Sequence, residues 1–198
     1  MHFTTITTTT LLTTALLSSA LPTGTSDLAP RACTTQYPTL IDYIYEISPD
    51  LVSLPSNFFE IAHAPVPDGA ASRLYRRDVV VQFDHIPPGS YGCQLEAYFP
   101  AGGTVEQSGA SQVDVFTVDK HATSGDTWNT APKPVSLFGT VTSEAKADEV
   151  VKRVINSGVC DDTLTYRFTI ASETEVGTVY FREGSGVGGQ GLRLTYDC

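Results

Sequence analysis

A two-residue alternation of apolar and polar side chains, interrupted at short intervals by glycine and proline, dominates this chain. Tyr91, Cys93, Leu95, Ala97 and Phe99 fall on one side of an extended segment, with Gln94 and Glu96 on the other. Thr163 to Ile170 alternate just as cleanly. Successive strand side chains point to opposite faces, so this pattern predicts strands with one face buried. Weaker alternation covers Asp78 to Phe83, Val113 to Val118, Val135 to Val141, Glu175 to Phe181 and Leu192 to Tyr196. Leu40 to Ile47 and Phe58 to His63 are predicted as further edge strands. Turn residues divide the runs, as at Pro87-Pro88-Gly89-Ser90 and Pro100-Ala101-Gly102-Gly103. Only Ser143 to Val154 offers helix-like spacing, through Ala145, Ala147, Val150, Val151 and Val154, and one short helix is expected there. About nine short strands imply an all-β, single-domain antiparallel β-sandwich, jelly-roll-like in type.

The N-terminal segment gives the cellular address. Residues 1 to 20 hold a short apolar stretch with Leu11, Leu12, Ala15, Leu16 and Leu17, closed by Ser18-Ser19-Ala20. This is read as a signal peptide, too short and too threonine-rich to be a membrane anchor. Residues 21 to 31 are polar and end at Arg31, so a pro-segment and a disordered tail are both open. Residues 32 to 198 then form the sandwich domain.

Four cysteines, Cys33, Cys93, Cys160 and Cys198, lack zinc-type spacing and read as two disulfides of an exported protein. Three connectivities are open. The nested pairing Cys33–Cys198 with Cys93–Cys160 is favoured, because first and last strands of sandwiches are often neighbours.

The formal charge of −10 disfavours nucleic acid and anionic membrane surfaces as partners. A monomer without cofactor is expected. The run Gly184 to Gly191 twice satisfies G-x-G-x-x-G, but a strand follows it where a nucleotide site needs a helix, so it is read as a hairpin loop. No Gly-x-Ser-x-Gly elbow occurs, and oxidised cysteines are unavailable as nucleophiles. Asp119 and His121 are the nearest candidates for a metal or acid–base role, set against a plain solvated loop. Glu96 and Arg167 stand on the polar faces of the two clearest strands and are expected to pair across a sheet.

The loops Ala64 to Arg77 and Val118 to Lys133 are long, and loops of this kind on a rigid sandwich commonly carry binding sites. The second holds the only tryptophan, in Asp126-Thr127-Trp128-Asn129. An indole in a polar loop can stack on a sugar, so Trp128, with Asp126 and Asn129, is the candidate ligand contact; Tyr91, Tyr98 and Tyr180 would extend the platform. The competing reading is a tryptophan folded back over the edge of the core. The dibasic pairs Arg76-Arg77 and Lys152-Arg153 are expected to lie within folded structure.

Several landmarks also carry a family likeness. They are Arg31-Ala32-Cys33 with Tyr37-Pro38-Thr39, Phe83-Asp84-His85-Ile86-Pro87 through Gly92-Cys93-Gln94-Leu95 and Phe99-Pro100, and the closing Gly191-Leu192-Arg193-Leu194-Thr195-Tyr196-Asp197-Cys198. With these the chain resembles the C-terminal domain of the fungal ubiquitin 3 binding protein family (But-two). The resemblance implies the domain type across nearly all of residues 32 to 198. The family name implies a ubiquitin-related partner inside the cell, which an exported, disulfide-bonded chain would not meet.

The functional expectation is a secreted, non-catalytic fungal-type protein that binds a cell-wall polysaccharide or an extracellular protein. The alternatives are a carbohydrate-active enzyme using a spatially assembled carboxylate pair and a host-directed effector that binds a protein.

Overall fold

The computed structural model describes residues 32–65, 74–184 and 189–198. The signal peptide expected over residues 1–20 and the 21–31 segment lie outside the described residues, as do 66–73 of the first long loop and 185–188 of the glycine-rich run. The described residues hold twelve strands: β1 (Thr34–Gln36), β2 (Leu40–Tyr45), β3 (Phe58–Pro65), β4 (Leu74–Asp84), β5 (Cys93–Phe99), β6 (Glu106–Gly109), β7 (Gln112–Val118), β8 (Pro134–Thr142), β9 (Val151–Gly158), β10 (Thr163–Ile170), β11 (Gly177–Arg182) and β12 (Gly191–Tyr196). All pairings are antiparallel.

The strands form two curled sheets in a sandwich-like, all-β arrangement. The smaller runs β1-β12-β5-β9 and the larger β6-β11-β3-β4-β10-β7-β8, with β2 also paired to β4. Arg77 pairs with both Tyr45 of β2 and Ala62 of β3, so those strands lie on opposite edges of β4. Strand β3, expected at an edge, is therefore interior, between β11 and β4. Phe59 and Ile61 turn into the main core while Glu60 between them stays on the outer face, the alternation of a strand with one face covered.

The alternation read from sequence becomes the core. Leu95, Ala97 and Phe99 of β5 and Leu192 and Leu194 of β12 face Val79, Val81 and Phe83 of β4 and Phe168 of β10. Phe99 meets Phe181 edge-on with ring centres 5.2 Å apart, so an aromatic contact joins the two sheets. Phe181 in turn stacks on Phe59 at 4.6 Å. Each such phenylalanine contributes about 1.5–3 kcal/mol by leaving water. The disulfides are Cys33–Cys198, tying β1 to the end of β12, and Cys93–Cys160, tying β5 to the segment before β10. This is the nested pairing, and it arises because β1 and β12 are hydrogen-bonded neighbours.

Three further expectations are corrected. Ser143 to Val154 forms no helix: residues 143–150 are irregular and Val151 opens β9 against β5. Val151 and Ile155, an even number of residues apart, turn inward as a strand's period of two allows, whereas Val150 and Val154 are exposed. The register skips Ile155 opposite Leu95 and Glu96, so β9 carries one extra residue there. Second, Tyr91 is not on the core face of β5. Gly92 at φ +65° turns the chain there, leaving Tyr91 51% exposed. Third, Glu96 and Arg167 do not pair, because they stand on different sheets. Arg167 binds Asp78, and Glu96 binds Lys152 and Arg193. Both dibasic pairs lie within paired strands, Arg76-Arg77 in β4 and Lys152-Arg153 in β9.

Candidate functional site: the Trp128 cleft

The outer face of the large sheet is not bare. Asp78, Val80 and Gln82 of β4 and Thr165 and Arg167 of β10 point away from the main core, and the β7–β8 loop folds over them. Ile44, Val80, Ala122 and Ala131 make a second small core there, with Leu40 and Trp128 packed against it. The loop is anchored through polar groups: Gln82 Oε1 accepts from the Ala122 amide at 2.7 Å and from Thr165 Oγ1 at 2.8 Å. A loop held this way by a buried side chain has one position.

Trp128 is half-buried at the mouth of a cleft of about 300 Å³, whose other walls include Arg76, Lys133, Arg167, Asp114 and Glu173. The Arg167 guanidinium carbon lies 4.6 Å from the ring centre and that of Arg76 5.4 Å. Lys133 Nζ donates to the Trp128 carbonyl at 2.7 Å. Two guanidinium groups therefore lie against one indole, an arrangement stabilised by the negative face of the ring, and Lys133 holds the backbone beside it. Burial pushes the Lys133 ammonium down, and Arg167 adds to that, while Asp119 pulls the other way.

The sequence candidates divide. Trp128 reaches the cleft. Asp126 is buried, its carboxylate accepting from the Thr123 amide at 2.8 Å within its own loop. Asn129 is exposed, and its side-chain amide donates to Asp50 at 2.9 Å, joining this loop to the 46–57 loop. Asp119 accepts from the Lys133 amide at 2.8 Å and His121 Nδ1 lies 3.4 Å from Thr165 Oγ1. Among the described residues, no group of three His, Cys, Asp or Glu side chains converges as metal ligands. Tyr98 lies elsewhere, on the small sheet, under the guanidinium of Arg193 at 3.7 Å.

Outside the Trp128 loop four carboxylates are buried among the described residues, and of these only Glu96 was a sequence candidate, as a partner for Arg167. Asp78 lies beneath Arg167; burial pushes its carboxyl up, against the pull of that guanidinium. Asp42 accepts from Ser53 Oγ and is pushed up by burial and by nearby Asp126. Burial also raises Glu183, well above the ordinary carboxyl range, with one hydrogen bond from the Leu192 amide at 2.9 Å. Glu96 is the exception: burial would raise it, but Lys152, Gln94 and Arg193 outweigh that and hold it down. Each of the four stands at an even-numbered outward position or a strand end, a place that a period of two assigns to solvent. Their cover comes from loops and long side chains, which periodicity does not report.

Comparison with protein-family models gives no match, and comparison with curated proteins gives none.

Proposed function

We propose that this is a secreted, non-catalytic binding protein of the fungal cell wall or extracellular space, monomeric, with its glycan ligand engaged at the Trp128 cleft. The observation that carries the reading is the placement of the only tryptophan, half-open, in a cleft whose rim supplies both donors (Arg76, Lys133) and acceptors (Asp114, Glu173). Sugars need that combination, an apolar plane for their C–H face and polar groups for their hydroxyls. Arg76 is held over the indole by long, partly exposed contacts, with ion pairs at 3.8 Å to Glu46 and Glu173. A ligand can therefore take its place over the indole. Two disulfides agree with the oxidising compartment that secretion implies. The domain type proposed is that of the But-two C-terminal domain.

Binding is favoured over catalysis because the buried carboxylates serve the fold. Asp78 is neutralised by Arg167, and Glu96 by two cations. A protein ligand is the second reading, favoured by the exposed Leu51, Val52 and Leu54 on the 46–57 loop, which Asn129 ties to the Trp128 loop.

The test incubates the purified protein with insoluble chitin, β-glucan and cellulose, following depletion and released sugar together. Depletion without release, reduced at least about tenfold in Trp128→Ala, supports the proposal. Released sugar overturns the non-catalytic assignment. Absence of depletion from all three polymers overturns the glycan ligand and turns the search to a protein partner.

A further inference from the structure

A second site lies on the other half of the large sheet, away from the Trp128 loop. Antiparallel register places Glu60 of β3, Tyr180 of β11 and Glu106 of β6 side by side in one row. The next row carries Thr178 and Ser108, whose hydroxyls are 2.9 Å apart. Directly opposed residues share a face, so all five side chains stand on the outer surface of the sheet. The backbones of Glu60 and Glu106 are two strand spacings apart, roughly 10 Å, with the phenol ring between them.

Phe58 stacks against Tyr180 with ring centres 5.5 Å apart and planes 15° from parallel. Tyr180 is thus braced from one side. An open cleft of about 420 Å³ is lined by Tyr180 but not by Phe58. Its lining consists of the five residues above and Gln107, with no cation among them. Arg77 is paired with Glu60 but does not line the cleft.

We infer that this row is a binding site for a glycan bearing protonated amines, such as a glucosamine oligomer. The braced aromatic ring offers a flat apolar surface for the C–H face of a pyranose. The carboxylates on either side accept charge-assisted hydrogen bonds from ammonium and hydroxyl groups. Arg77 offsets the charge of Glu60, and Glu106, with no cation in the lining, leaves the row acidic, which favours a positive ligand over a neutral or acidic one. The spacing also matters: one ring flanked by acceptors on both sides matches a ligand with polar substituents around an apolar face. A basic peptide has charge but no such face.

The experiment titrates the purified protein with hexaglucosamine and with its fully N-acetylated counterpart by calorimetry, at about pH 5.5, where the amines are charged and exposed carboxyls are ionised. Hexaglucosamine should bind, weaken as salt rises, and exceed the acetylated oligomer by at least about tenfold. Tyr180→Ala should weaken it by about tenfold or more, and Glu106→Gln, on an exposed edge strand, by about three- to tenfold. Thermal denaturation of each variant establishes that it is folded, and Tyr180→Phe, which keeps the ring, should bind nearly as the parent does. Equal affinity for the acetylated oligomer overturns the charge requirement. Binding of hexalysine as strong as that of hexaglucosamine, or retention of hexaglucosamine by folded Tyr180→Ala, overturns the sugar site in favour of plain charge attraction. No heat at millimolar ligand overturns it outright.

Discussion

Arg167 donates to one oxygen of Asp78 twice, from Nε at 2.9 Å and from Nη2 at 2.7 Å, while its guanidinium lies under the Trp128 ring. Both side chains are almost wholly shielded from water. The other Asp78 oxygen, Oδ1, is buried without a hydrogen bond. Taking two charges out of water costs several kcal/mol each, and their attraction returns that only while both are present. Asp78→Ala should therefore destabilise the fold by about 3–5 kcal/mol, leaving Arg167 buried and uncompensated. Replacing the pair together, as Asp78→Leu with Arg167→Met, should recover most of the loss. Urea midpoints of the three variants check both statements; an Asp78→Ala loss below about 1 kcal/mol would show that water reaches the guanidinium.

This pair also marks where sequence reading stops. The polar, outward position of Arg167 on β10 was legible from alternation, and so were the strand and its core face. Its partner was not, since strand order across a sheet is set by topology, and the alternation of Glu96 and of Asp78 looks the same. The same limit applied to β9, where Val150, Val151 and Val154 suggest a helix until the pairing of Val151 onward with β5 is known. The nested disulfides were legible because they follow from one topological statement, the adjacency of first and last strands. The Trp128 loop was visible as a long polar insertion, but the small core beneath it, built from Ile44, Val80, Ala122 and Ala131, joins residues far apart in sequence.

Two buried glutamates should pull stability in opposite directions with pH. Glu183 has a folded pKa raised well above its unfolded value, so its contribution is fully present below the unfolded pKa and is lost as pH rises through the folded one. Glu183→Gln should stabilise the protein near neutral pH and flatten the gain on acidification. Glu96 has a lowered folded pKa, so its contribution is present above the unfolded value, near 4.5, and is lost as pH falls below it. Glu96→Gln should cost stability at neutral pH and little in strong acid. Melting temperatures of both variants across the range from about pH 3 to about pH 8 read the two signs directly. A parallel shift of the Glu183→Gln and parental curves would show that the carboxyl is solvated in the folded state.

Gly191 supports the same carboxyl from the other side. Its φ of +103° lies where side chains are disfavoured, and a Cβ there would run into the Glu183 carboxylate. Gly191→Ala should destabilise by about 2 kcal/mol or more through backbone strain and collision combined. Adding Glu183→Ala removes the collision but not the strain, so the double variant should show a smaller loss than the sum of the singles. Additivity in denaturant titrations would mean that the two residues do not touch.

The two disulfides should differ in lability more than in worth. They span 165 and 67 residues, for which chain entropy gives similar contributions, roughly 4–5 kcal/mol each. Access separates them. Cys33 and Cys198 are exposed at the joined ends of β1 and β12, whereas Cys93 is 2% exposed and sits in the main core beside Leu95. Exchange requires a thiolate to reach a sulfur, so Cys33–Cys198 should open first under mild reductant in the folded protein. Opening it should free β1, which pairs only three residues with β12, while the rest of the sandwich persists. Alkylation of timed samples followed by peptide mapping gives the order: labelled Cys33 and Cys198 should precede labelled Cys93 and Cys160. Simultaneous labelling of all four would mean that the bridge at the strand ends opens only when the whole domain unfolds, and that β1 is held by more than its disulfide and its short ladder.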